Sequence, residues 1–190
     1  VNINRMKWIT YRGKRIYAYS DTHGKHHILP ANADVIICAG DIGLYTEEDS
    51  AAYMKRLREC PCSIVIFIPG NQDLFFDIEP ARAMRLLPPN VYLLDGACTY
   101  GGIHFYGLPA VPWLHAEVIL PMGIDILVTH GAPKGYLDEG RGCPLLTQAI
   151  QENPPQLHIF GHIHSAYGEL QDDKLSTRFI NVSCYELLTS

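Results

Sequence analysis

A chain of 190 residues, 47% of them apolar, has enough material for one hydrophobic core and reads as a single unit over residues 1–190. Its formal charge of −5, from 15 basic against 20 acidic residues, leaves no general electrostatic footprint for gripping a long polyanionic duplex. No run approaches the roughly 18 apolar residues that span a bilayer, and Val1-Asn2-Ile3-Asn4-Arg5 carries no signal-peptide pattern, so a cytoplasmic setting away from membranes is expected.

In chain order, short apolar runs alternate with helix-like segments. Strands are expected at Arg15 to Ser20 and Val35 to Ala39, whose length and β-branched content suit strands buried on both faces. Glu47 to Cys60 then opens with acids and closes with Lys55, Arg56 and Arg58, matching the helix dipole, with Ala51, Met54 and Leu57 at three-residue spacing. A strand at Ile64 to Ile68 precedes a short helix at Pro80 to Leu87, which Pro88-Pro89 closes. Further strands are expected at Ile103 to Tyr106 and Ile124 to Thr129. A helix at Leu145 to Glu152 ends at Pro154-Pro155, and a strand follows at Leu157 to Phe160. The tail differs: Tyr167 to Gln171 and Arg178 to Ser183 read as sequential antiparallel strands around an Asp172-Asp173-Lys174 turn. Together these patterns give an α/β sandwich with a mixed sheet core. The six cysteines are scattered, and Cys60-Pro61-Cys62 has no CxxC spacing, so free thiols are expected, with Cys38 a small core residue.

The polar residues carry the functional signal. Five strand-like runs each deliver Asp, Asn or His at their C-terminal end, where ligand sites form in open α/β sheets. The first leads into Asp21-Thr22-His23, whose i, i+2 spacing points a carboxylate and an imidazole the same way from extended chain. The others lead into Gly40-Asp41, Gly70-Asn71-Gln72-Asp73, His130-Gly131 and Gly161-His162-Ile163-His164. An isolated Gly-Asp is an ordinary turn and a lone histidine an ordinary core or surface residue. An ordered set of oxygen and nitrogen donors, all at strand ends, is what a metal centre needs.

The succession D-x-H, G-D, G-N-x-D, T-H-G and G-H-x-H over residues 21 to 164 resembles the signature of calcineurin-like metallophosphoesterases. Gly123 to Pro133 and Leu157 to His164 more narrowly resemble the compact MPPED-type members. The resemblance implies a four-layer α/β/β/α sandwich of two mixed β-sheets flanked by helices. It also implies two divalent ions, manganese first, with iron, zinc, nickel or magnesium as alternatives. Asp21, His23, Asp41 and His164 would hold one ion, and Asp41, Asn71, His130 and His162 the other, with Asp41 bridging. The implied activity is hydrolysis of small or cyclic phosphodiesters, cyclic nucleotides among them, by a metal-bridging hydroxide. Asn71, Gln72 and Asp73 would stand at the catalytic motif. The two ions also supply the local positive charge for an anionic substrate that the chain total lacks.

One position departs from the family pattern. Where the third motif carries a histidine, this chain has Gln72, whose amide can donate a hydrogen bond to a phosphoryl oxygen but cannot surrender a proton near neutral pH. His26 or His27 could reach the leaving group or stand as solvent-exposed loop residues. Alternatively, the substrate has a leaving group needing little help. Trp113, in Leu108-Pro109-Ala110-Val111-Pro112-Trp113, could stack on a base or pack in the core. The stretch from His115 to Gly123 is short for the family and is expected to leave the site open. Two other readings stand beside the enzyme: a nuclease, disfavoured by the absence of a basic stripe, and a non-catalytic scaffold, favoured by Gln72 and disfavoured by the seven retained donors.

Overall fold

Strands whose every residue is buried send alternate side chains into two different layers, and this alternation builds the architecture. The chain was analysed as a computed structural model that describes residues 7–108 and 112–189; Val1 to Arg5 and the Pro109-Ala110-Val111 part of the tryptophan stretch lie outside them. In order, the elements are β1 (Lys7–Tyr11), β2 (Lys14–Tyr19), β3 (Val35–Cys38), α1 (Glu47–Glu59), β4 (Val65–Phe67), α2 (Leu74–Ile78), α3 (Pro80–Arg85), β5 (Val91–Leu93), β6 (Gly96–Tyr100), β7 (Ile103–Gly107), β8 (Ile126–Val128), α4 (Pro144–Glu152), β9 (Leu157–Phe160), a 3-10 turn at His164–Ala166, β10 (Gly168–Gln171), β11 (Arg178–Asn181) and α5 (Tyr185–Thr189).

Five strands form one sheet in the order β1-β2-β3-β4-β5, and six form the other in the order β10-β11-β9-β8-β7-β6. Both are mixed. Parallel ladders join β2 through β5 and β7 through β11, while β1, β6 and β10 run antiparallel at the edges. Val35 and Ile37 of β3 face Ile126 and Val128 of β8 across the apolar layer between the sheets. The intervening Ile36 and Cys38 pack outward with Tyr53, Met54 and Leu57 of α1. On the other flank Leu127 and Phe160 pack with Leu146, Ala149 and Ile150 of α4. The result is the α/β/β/α sandwich, and truncating one of its buried Ile, Leu or Met side chains to alanine would cost about 2–5 kcal/mol.

Expected and observed elements agree to within one or two residues at most ends, the usual fraying of boundaries. At α1 the start is set by a capping box, in which Thr46 accepts from the Asp49 amide and Asp49 accepts from the Thr46 amide. Missed were β1, β5, β6, α2 and α5, all short or at edges. The fold places the C-terminal ends of β2, β3, β4, β8 and β9 at one end of the sandwich. There the sheets are joined: the Ser20 amide donates to the Val182 carbonyl at 3.2 Å and the Cys184 amide to the Ser20 carbonyl at 3.0 Å. Among the described residues no helix is long and apolar enough to cross a membrane.

Candidate metal centre

Two adjacent strand ends make the frame. Beyond β2 and β3 the chain pairs loop to loop: the Asp21 amide donates to Gly40 O at 2.8 Å, His23 to Asp41 O at 3.1 Å and Gly24 to Ile42 O at 2.8 Å. Asp21, His23, Asp41 and His162 all have left-handed backbone, with φ of 59°, 45°, 58° and 71°. Such conformations cost of order 1–3 kcal/mol for a non-glycine residue and persist only where the surroundings dictate them. Two glycines permit the close packing: a Cβ on Gly70 would strike the Asp41 carboxylate, and one on Gly161 would strike Asp21 and Ser20.

Among the described residues, two groups of side chains are spaced to hold an ion: Asp21, His23 and His164, and Asp41, His130 and His162. In the first, Asp21 Oδ1 lies 3.3 Å from His164 Nε2 and 3.8 Å from His23 Nε2, and the two imidazole nitrogens are 3.1 Å apart. In the second, Asp41 Oδ2 lies 3.2 Å from His130 Nε2. That same oxygen is 3.7 Å from His23 Nε2, so it reaches toward both groups. Donors that share an ion about 2.1 Å away sit roughly 3.0–3.4 Å from one another, close to this spacing.

The unpaired atoms fit the same reading. Asp21 Oδ1, Asn71 Oδ1 and His130 Nε2 are buried with no hydrogen-bond partner, despite their close neighbours. Leaving such an atom unsatisfied costs about 1–3 kcal/mol, which coordination to a cation would recover. His130 is prepared for this role: its Nδ1–H donates to Ala39 O at 2.7 Å, so Nε2 is the nitrogen that would take an ion in exchange for its proton. Behind it, the Thr129 hydroxyl donates to Gly131 O at 2.7 Å, so His158 Nε2–H must donate to that hydroxyl, at 2.9 Å.

The carboxylates and imidazoles of the two groups also shift one another's protonation. Burial pushes the Asp21 carboxyl upward, but hydrogen bonds from His164, His23 and Ser20 and the His130 charge outweigh it and hold the acid well below the usual carboxylate range. Burial likewise pushes His130 down, and the neighbouring Asp41 and Asp21 carry it up to about 9. His23 is raised mainly by its hydrogen bond to Asp21, whereas His162 is lowered by burial and by His130. Divalent ions would replace these protons.

The third motif divides its three residues among different tasks. Asn71 keeps a buried side-chain oxygen without a hydrogen-bond partner. Gln72 donates its amide N–H to Asp41 Oδ1 at 2.7 Å, and its side-chain carbonyl accepts from the Tyr45 hydroxyl at 2.9 Å, which leaves its NH2 group free. Asp73 is spent on backbone: Oδ2 accepts from the amides of Asp41 and Gly70, both at 2.8 Å, and Oδ1 from those of Ile42, Gly43 and Leu44 at 2.9–3.1 Å. Burial and the Asp41 charge press its carboxyl upward against the pull of these amides. Asp73 therefore shapes the loop that presents Asp41.

The remaining candidates stand outside the two ligand groups. His27 is not a solvent-exposed loop residue: it is 4% exposed, packs on Tyr19 with ring centroids 4.5 Å apart, and burial with the Arg56 charge pushes it down to about 4. Exposed His26 shares with it a hollow bounded by Arg56, Glu59 and Cys60 at the C-terminal end of α1, which no metal candidate lines. Trp113 is not a core residue either, being 45% exposed with its indole N–H donated to Arg141 O at 3.0 Å. Two residues went unforeseen. Tyr185 of α5 stacks on His164 at 4.5 Å and meets His23 edge-on at 5.4 Å, and His115 shares a cavity with Asn71. Neither carries a local signal, since a tyrosine near a chain end and a loop histidine are ordinary.

Comparison with known proteins follows the same outline. Residues 14–166 match the profile of the family described as Calcineurin-like phosphoesterase. The chain is 32% identical over 218 aligned positions to Metallophosphoesterase domain-containing protein 1 of Homo sapiens, covering 89% of this chain and 65% of that protein. It is 28% identical to UPF0046 protein K07C11.7 of Caenorhabditis elegans, over 89% of this chain and 69% of the relative. The crystal structure of TT1561 of Thermus thermophilus shares the fold, with a TM-score of 0.59, 16% identity and 88% of each chain covered. This chain thus spans a little under two thirds of the human relative's length.

Proposed function

The chain belongs to the calcineurin-like phosphoesterase family, and on that premise we propose that it is a metal-dependent hydrolase of small or cyclic phosphodiesters, working at a two-metal site. The observation that carries the reading is Asp41 Oδ2, which lies 3.2 Å from His130 Nε2 and 3.7 Å from His23 Nε2, one oxygen within reach of both ligand groups. Asp21, His23 and His164 would hold one divalent ion and Asn71, His130 and His162 the other, with Asp41 between them. We place Mn first, with Fe, Zn, Ni and Mg equally compatible with this set of imidazole and hard oxygen donors. Bound ions would supply an activated water and a net positive charge for the phosphate, since two divalent cations bring four charges and the two carboxylates return two.

The chain's own residues do the rest. Ser20 is fully buried and donates its hydroxyl to Asp21, so it orients a ligand and offers no nucleophile. Gln72, its carbonyl end held by Tyr45, presents its NH2 to a non-bridging phosphoryl oxygen. Trp113, exposed at its edge, is available to stack on the organic part of a substrate. Position 72 has no proton to give, so strained cyclic or aryl esters are favoured wherever no second donor reaches the leaving oxygen.

Metal analysis of protein purified without chelator, followed by turnover of a panel of mono- and diesters, tests the reading. Two ions per chain and diester hydrolysis lost with chelator are expected. Where no second donor already protonates the leaving oxygen, Gln72→His should raise the rate on poor leaving groups more than on good ones. Gln72 also favours a second reading, a metal-binding scaffold without catalysis. A metal-loaded protein inert on every ester, with activity arising only in Gln72→His, would establish that reading instead.

A further inference from the structure

A 400 Å³ cavity opens beside Asn71, walled by Gly70, Leu74, Phe76, Asp77 and His115. It is separate from the hollow beside α1, and it is lined both by His115, a histidine outside both ligand groups, and by Asn71, a candidate ligand of the metal centre. Leu74 and Phe76 give it an apolar side, Asp77 a carboxylate that would repel an anionic group, and His115 a titratable donor that is itself exposed. Neighbouring Gln72 cannot fill the donor's role, because an amide holds its protons near neutral pH and its carbonyl end is taken by Tyr45.

We propose that this cavity receives the leaving alcohol of the ester, a neutral or cationic organic group rather than a phosphorylated one, and that His115 is the proton donor to its oxygen. The inference rests on the phosphodiesterase reading. As the attacking water oxygen bonds to phosphorus and gives up a proton to solvent, the bond from phosphorus to the leaving oxygen breaks and its electron pair stays on that oxygen. The oxygen takes a proton from the His115 imidazolium, which becomes neutral and is reprotonated by solvent. The cavity has room for an aryl or nucleoside-sized alcohol, and the histidine arrives from the 112–123 segment, outside every ligand motif. The motif histidine's task would thus be done from a different loop.

The test uses metal-loaded wild-type protein, His115→Gln and His115→Ala, and a series of diesters whose leaving alcohols range from 4-nitrophenol to ethanol. General acid catalysis contributes about 10²–10⁴-fold, most when the departing alkoxide is a strong base. Both variants should therefore keep two metals, lose at least about 100-fold on the ethyl ester, and change the 4-nitrophenyl rate less than about threefold. Adding Gln72→His to His115→Gln should restore the slow substrates. Independently of turnover, phenol alone should shift the one imidazole proton resonance missing from the His115→Gln spectrum. An equal loss on all esters, loss of metal, or unchanged rates would overturn the proposal. If wild-type protein binds two ions but cleaves no ester, the functional reading fails, and absence of the phenol shift then overturns the cavity assignment as well.

Discussion

The two ligand groups use the same chemistry, one carboxylate and two imidazoles, yet the fold supports them differently. In the Asp41 group, His130 is fully buried, its Nδ1–H is tied to the Ala39 carbonyl, and Thr129 and His158 brace the strand behind it. The Asp21 group is more open: the His23 and His164 side chains are 21% and 30% exposed, and an aromatic ring from α5, Tyr185, packs on both. Backbone hydrogen bonds hold a ligand in one orientation and tautomer, whereas a ring contact from a five-residue helix does so less firmly. The difference predicts two unequal sites, the Asp41 group preorganised and the Asp21 group dependent on its cover.

The strongest way to break that picture is Asp41→Asn, because one Asp41 oxygen lies 3.2 Å from His130 Nε2 in one group and 3.7 Å from His23 Nε2 in the other. We expect loss of both ions and a fall in activity of at least about 10³-fold, read by metal analysis and turnover; a variant retaining two ions would end the shared-ligand account. Next comes Asp73→Ala, which strips the acceptor from five backbone amides around Asp41. Denaturant unfolding of metal-free protein should show about 3–5 kcal/mol less stability, and retitration should show the Asp41 group weakened before the Asp21 group.

A subtler change sharpens the comparison. Tyr185→Ala should weaken one of two ions by about 10–100-fold and leave the other in place, while Tyr185→Phe stays within about twofold. Stepwise Co(II) titration reads both affinities, and equal weakening of the two would show that the sites are not separately supported. The smallest effect concerns acid. His158 is wholly buried with Nδ1 unpartnered, and burial pushes it down to about 3, so it is neutral in the fold. Its contribution is complete above the unfolded value near 6.5 and is lost as pH falls from there toward 3, at up to about 1.4 kcal/mol per pH unit. His158→Phe should flatten the stability profile of metal-free protein between pH 6.5 and 4; an unchanged slope would remove His158 from the acid-sensitive support of the Asp41 group.

Legibility followed burial. β3, with all four residues buried, and β9, likewise, stood out as continuous apolar runs. β6, whose residues Gly96–Tyr100 alternate between exposed and half-buried positions, offered too little contrast to be seen, as did β1, where only Ile9 is fully buried. His27 misled for the same reason in reverse: nothing in a Gly-Lys-His-His loop announces that the second ring will lie under Tyr19. Asp73 was expected beside Asn71 and Gln72 at the catalytic motif, and only its five amide partners reveal its structural task.

What the sequence alone determined was the inventory of donors and their station at strand ends, because buried parallel strands are local runs of apolar residues and the chain must turn where they stop. What the tertiary structure decided was partnership. His23 and His164, 141 positions apart, come within 3.1 Å because the two sheets are joined where Ser20 meets Val182. Tyr185 packs on His164 from a five-residue helix, and His115 shares a cavity with Asn71 from a surface segment, neither of which any periodicity marks. Local pattern records whether a residue is buried, since burial depends on side-chain polarity and spacing. Which residues meet depends on how separately formed layers pack, and that information is distributed over the whole core.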